Sequence, residues 1–147
     1  MVKKMSVDEM VNRGRIHLEL GKSEDALIYI NKALEMAPEN PIAWAAKGIA
    51  MVNLSKYQDA IDCFDKAISF EATLGFAWEG KGIALTKMGR AEDAIPFFEM
   101  ALNIDPEFSR AWRGLAAALE KLNRCEDAKK CIARADEIDA EKRGKYL

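Results

Sequence analysis

The sequence predicts an all-α fold, a stack of antiparallel helix pairs that share one continuous core. Three observations predict it. The helical phrase "AWAAKGIAM", Ala43 to Met51, returns as "AWEGKGIAL" and "AWRGLAAAL" at intervals of 34 residues (43 to 77 to 111). Columns of small and aromatic residues keep that interval along the chain. Within each interval, two stretches with apolar residues at helical spacing flank a helix-stopping turn.

Trp44, Trp78 and Trp112 form one column, with Met10 in the earlier place. Gly14, Gly48 and Gly82 form a second, followed by Ala116. Ala26, Ala60, Ala94 and Ala128 keep a third, and Ala33, Ala67, Ala101 and Ala135 a fourth. Ile30, Phe64, Phe98 and Ile132 complete the set. The reading is one domain, residues 1–147, with four copies over 7–40, 41–74, 75–108 and 109–142 and a tail at 143–147.

Ser6 with Glu9 predicts a capping box at the first helix. Each first helix then stops at "LGK", "LSK", "MGR" or "LNR", where Gly21, Gly89 and Asn123 suit a left-handed cap and Ser55 does not. Acids follow at the start of each second helix: Glu24 and Asp25, Asp59, Glu92 and Asp93, Glu126 and Asp127. Pro38, Pro41 and Pro106 mark breaks between copies, whereas Pro96 falls inside a second helix and predicts a lost backbone bond and a kink. The glycine column is expected to face the alanines, so that the two helices of a pair approach closely while the aromatic column fills the wider gap. Leu27, Ile61 and Ile95 give way to Lys129, and Leu34, Ile68 and Leu102 to Asp136. Glu9 likewise stands where later copies have Ala43, Ala77 and Ala111. Charged end faces of this kind predict a complete small array.

Composition narrows the function. Half the residues are apolar (50%) and the formal net charge is −2, with no basic footprint for nucleic acid. The start "MVKKMSVDEM" lacks the apolar run of a signal peptide, and no stretch approaches a membrane span. A soluble, cytoplasmic protein is expected. Cys63, Cys125 and Cys131 form no Cys-x-x-Cys pair and His17 is the single histidine, so neither a metal site nor a disulfide framework is predicted. "GFAWEGKG", Gly75 to Gly82, matches a phosphate loop until its last residue, where Gly82 replaces the magnesium-holding Ser or Thr. His17 shares a column with Met51, Leu85 and Leu119 and reads as a packing residue. No catalytic constellation stands outside the repeat columns, and neither enzyme activity nor a cofactor is expected.

The set Trp44, Gly48, Ala60, Phe64, Ala67, then Trp78, Gly82, Ala94, Phe98, Ala101, Pro106, resembles the tetratricopeptide repeat. Departures are mild: Ala72 and Ala140 replace the late proline, Met10 the tryptophan and Ala116 the glycine. The resemblance implies a right-handed superhelix, a solenoid, whose first helices line a concave groove that holds a peptide or helix of another protein. The repeat phase then nominates Val11, Asn12 and Arg15 in the first copy and Ile42, Ala45, Ala46 and Ile49 in the second. Phe76, Glu79, Gly80 and Ile83 follow in the third, and Arg110, Arg113, Gly114 and Ala117 in the last. Ala46, Gly80 and Gly114 would admit a partner backbone, Ile42, Ile49, Phe76 and Ile83 would supply apolar contact, and Arg110 with Arg113 would favour an acidic flank.

Members that hold the acidic C-termini of heat-shock chaperones place Lys, Asn, Asn, Lys and Arg around the ligand carboxylates. The matching slots here are Val11, Arg15, Ala46, Phe76 and Gly80, or, one repeat along, Ala45, Ile49, Gly80, Arg110 and Gly114. Convergent donors are missing from both sets, which excludes that clamp. The expected function is a scaffold for a protein or peptide partner. The alternative is a homo-oligomer, formed groove to groove, by the terminal helix, or by the tail "KRGKYL" entering a neighbour's groove.

Overall fold

A computed structural model describes residues 3–146, so Met1 and Val2 of the head and Leu147 of the tail lie outside the described residues. The chain divides into two compact units, Met1–Ala72 and Thr73–Leu147. The first contains α1 (Val7–Glu19), α2 (Ser23–Met36), α3 (Pro41–Asn53) and α4 (Tyr57–Phe70). The second contains α5 (Gly75–Lys87), α6 (Ala91–Ile104), α7 (Ser109–Lys121) and α8 (Cys125–Gly144). Regular structure among the described residues is helical throughout. Within each unit every odd-numbered helix packs most extensively on the helix that follows it. The second pair then joins the first through α3 in one unit and α7 in the other.

The turn inside each pair is the same closed structure. Lys22 N donates to His17 O, Lys56 N to Met51 O, Arg90 N to Leu85 O and Arg124 N to Leu119 O, at 2.8–2.9 Å. The preceding residue donates to a carbonyl inside that one, as in Gly21 N to Leu18 O (3.0 Å). This pattern satisfies the orphan carbonyls at a helix end and requires a left-handed residue between. Gly21 (φ 73°) and Gly89 (φ 81°) adopt that conformation without cost, and Ser55 and Asn123 adopt it too, both at φ 60°. Ser55 therefore obeys its column against its own preference. The second helices carry no side-chain cap at their starts, and the acids of the first turn complement the exposed N–H groups instead.

Among the first helices, α1 and α3 start with a side-chain cap and α5 and α7 do not. Ser6 Oγ accepts from Glu9 N (3.2 Å) while Glu9 Oε2 accepts from Ser6 N (2.7 Å), the capping box expected there. Asn40 Oδ1 accepts from Ala43 N at 3.0 Å. The tryptophans lock the loops that precede them: Trp44 Nε1 donates to Pro38 O (2.7 Å) and Trp112 Nε1 to Pro106 O (2.9 Å).

The glycine column meets the aromatic column directly, and at Gly14 a Cβ would also lie 3.4 Å from the Ala26 carbonyl oxygen. A Cβ at Gly48 would stand 2.6 Å from Phe64 Cε1, and one at Gly82 would stand 2.9 Å from Phe98 Cε2. At Gly14 the neighbour is Ile30 Cγ1, also at 2.6 Å. Each ring or branched chain thus occupies the volume of the missing methyl, and Ile30, Phe64 and Phe98 are fully buried. The helix α6 runs through Pro96 without interruption from Ala91 to Ile104, so loss of one N–H donor does not end it. At 20 residues α8 is longer than the 14-residue second helices before it, and it absorbs Arg143 and Gly144 of the predicted tail.

Candidate functional site

Because α1 adjoins α3 and α5 adjoins α7, each unit presents two neighbouring first helices. The structure sorts the nominated residues on them by exposure. Asn12, Arg15, Ile42, Arg110, Arg113 and Ala117 are exposed, and Ile49, Phe76, Ile83 and Gly114 are half-buried. Val11, Ala45, Ala46, Glu79 and Gly80 are buried, which corrects their assignment to a contact surface. Ala45 at 0% and Ala46 at 2% exposure offer a partner nothing to touch. They serve the close approach of helices.

Gly114 has a packing role. A Cβ there would lie 2.3 Å from Phe98 Cε1, so the Phe98 ring is held between Gly82 of α5 and Gly114 of α7. The crowding it relieves is that of the Phe98 ring on the second helix α6.

Both nominated arginines have internal partners. Arg110 Nε and Nη2 donate to Glu79 Oε1 and Oε2 at 3.2 and 3.0 Å, a bidentate pair joining α7 to α5. Glu79 is 2% exposed, whereas the Arg110 side chain is 66% exposed, with its guanidinium carbon 5.8 Å from the Phe108 ring centre. Burial pushes the Glu79 carboxyl above its ordinary value, and the Arg110 charge and hydrogen bonds pull against that shift. Arg113 Nη2 donates to Asp136 Oδ1 (2.9 Å) and Asp139 Oδ2 (2.7 Å) on α8. Hydrogen bonds from Arg113, then Ser109, push the Asp139 carboxyl down. Asp136 and Asp139 were not among the nominated residues. The Glu79–Arg110 pair had a signal, since the two positions fall on successive first helices with opposite charges.

The remaining candidates resolve into packing. The His17 ring stacks on Tyr29 at 5.4 Å between centres, with Nδ1 buried and unpaired. Cys63 is buried, which pushes its thiol up to about 11, and burial pushes Cys131 up as well. Such thiols are poor nucleophiles. The stretch Gly75 to Gly82 lies within α5 rather than forming a loop, and Lys81 Nζ sits 4.4 Å from the Phe97 ring centre. No helix among the described residues is long and apolar enough to cross a membrane.

Two family profiles described as tetratricopeptide repeat match residues 11–73 and 85–147, covering most of both units. The chain belongs to the tetratricopeptide-repeat family. Solved structures agree. A crystal structure of MamA superposes with a TM-score of 0.77 at 25% identity, covering 94% of this chain and 81% of that one. A second MamA crystal structure gives 0.75 at 25% identity over 96% and 77% of the two chains. A MamA RS-1 ArsTM double mutant gives 0.74 at 25% identity over 95% and 79%. No curated protein matches the sequence. The protein is an all-α solenoid of the tetratricopeptide-repeat kind, and this family supplies protein-interaction scaffolds.

Proposed function

We propose that the paired first helices of each unit hold a peptide or helix of a partner protein. One observation carries the reading: Ile42 and Ile49 on α3 recur one repeat later as Phe76 and Ile83 on α5, and all four retain exposure. Seven residues separate the members of each pair (42 to 49, 76 to 83), so both lie on one side of their helix. Core packing does not consume them, and apolar anchors at helical spacing are what a groove-bound segment needs. Neighbouring first helices contribute Asn12 and Arg15 in one unit and Arg110 and Ala117 in the other, a mixed polar border.

The test replaces partly exposed anchors, not the buried alanines. Ile49→Glu with Ile83→Glu should leave the helical circular dichroism signal close to wild type. The double variant should bind peptides selected on the wild-type protein from a random display library at least about tenfold more weakly. Undiminished binding would assign the contact to another face.

A second reading, association between copies, is favoured by α1. Ile16 is 54% and Leu20 64% exposed, whereas Ala50 and Ala118, at the place of Ile16 in α3 and α7, are fully buried. Light scattering of the wild type against Ile16→Lys/Leu20→Lys decides this reading, which fails if both are monomeric at high concentration.

A further inference from the structure

The two arginines that make one end of the second unit look basic are electrostatically spent. Arg110 is bonded through two nitrogens to a carboxylate that is 2% exposed, and Arg113 bridges two carboxylates. Summing Arg110 and Arg113 against Glu79, Asp136 and Asp139 gives a net charge of −1 (2 − 3). A carboxylate approaching Arg110 meets a neutral pair, because the repulsion from Glu79 a few ångströms further on offsets much of the attraction. The other exposed charges on these helices, Lys87, Glu120 and Lys121, lie at their C-terminal ends, beyond Ile83 and Ala117.

We infer that Glu79 is a specificity-determining residue: by holding Arg110 in a neutral pair, it keeps this face from selecting acidic partner segments. The face takes an apolar segment with uncharged flanks. This inference rests on the partner-binding reading above and replaces the acidic flank expected from the sequence. Specificity of this kind is built by removing an attraction as much as by adding one. Gln at position 79 keeps the shape and a hydrogen bond to Arg110 but removes the negative charge. The exposed guanidinium is then free to recruit an anion.

The experiment titrates two fluorescent twelve-residue amphipathic peptides that share an apolar core, one flanked by Glu and one by Gln. Wild type should bind the Gln-flanked peptide at least as tightly. Glu79→Gln should bind the Glu-flanked peptide about tenfold more tightly than wild type does, the scale of one charge-assisted hydrogen bond. That gain should fade as salt is added and vanish in Glu79→Gln/Arg110→Gln. A structural role alone would not produce a salt-sensitive gain. Arg110→Gln in the otherwise native chain, which keeps the test open if the first variant folds poorly, should change Glu-flanked binding by no more than about twofold. Two results overturn the inference alone: a tenfold wild-type preference for the Glu-flanked peptide, or no gain in Glu79→Gln while Gln-flanked binding persists. If neither peptide binds any of these proteins, the partner-binding reading fails and this inference with it.

Discussion

Ile30 in the first unit and Phe98 in the second occupy equivalent positions, 68 residues apart (98 − 30), yet their surroundings divide the volume differently. Around Ile30 stand Gly14 and Ala46 in one buried cluster; around Phe98 stand Gly82 and Gly114. The larger ring is matched by the loss of a methyl on the neighbouring first helix. Close packing explains the exchange, because an interior at crystal density has no spare room for three extra carbons. A second difference runs beside it. Where the second unit has Glu79 and Arg110, the first has Val11 and Ile42 at the corresponding places. The second unit places an ion pair between its first helices, where the first unit has two apolar residues. Equal backbones thus tolerate different side-chain solutions, provided that volume and charge balance locally.

The strongest way to break the comparison is to empty the second unit. Phe98→Ala should cost about 3–5 kcal/mol, because two glycines already line the site and no side chain can collapse into the cavity. Ile30→Ala removes fewer atoms and should cost less, as read by urea unfolding of both variants. A smaller loss for Phe98 would mean that the second unit repacks and that the volume match is loose.

Arg110→Ala should come next, at about 1–3 kcal/mol, since it strands a buried carboxylate while deleting a largely solvated guanidinium. The sign of its pH dependence follows from burial. Glu79 stands above its ordinary value of 4.5, so the folded state holds its proton more tightly than the unfolded chain. That contribution is fully present below the unfolded value and is lost as pH rises through the folded one. Removing Arg110 pushes Glu79 further up and should steepen the loss on going from pH 4.5 towards neutrality. Denaturant midpoints across that range check it, and Glu79→Gln should remove the slope.

Gly114→Ala sharpens the volume argument. Overpacking against Phe98 costs about 1–3 kcal/mol, less roughly 1 kcal/mol of helix propensity regained over glycine. Phe98→Ile in the same chain reproduces the first unit's combination and should remove most of the penalty. Additive losses in the double-mutant cycle would contradict the exchange. The smallest effect belongs to the turns. Ser55→Gly should raise the thermal midpoint slightly, by the equivalent of about 0.5–1 kcal/mol, because serine at φ 60° carries a left-handed cost that glycine does not. Gly21→Ser in the other pair of the same unit should lower it by a similar amount.

The fold was legible because its rules are local and repeated. Acidic first turns, a 34-residue column structure and three of the four left-handed caps each follow from the chemistry of a single helix or turn, and repetition multiplied a weak signal; Ser55 took the fourth cap against its own preference. Ile42, which is exposed, and Ile83, which is half-buried, were nominated from helical phase alone. Phase says which way a residue points and not how near the next helix comes. Only the tertiary structure buried Ala45, Ala46 and Glu79, set the glycines against Ile30, Phe64 and Phe98, and paired Arg110 with a carboxylate 31 residues away and Arg113 with two at 23 and 26 residues. Those outcomes depend on distances of a few tenths of an ångström between separate helices, and such distances are set by all the side chains in the interface together.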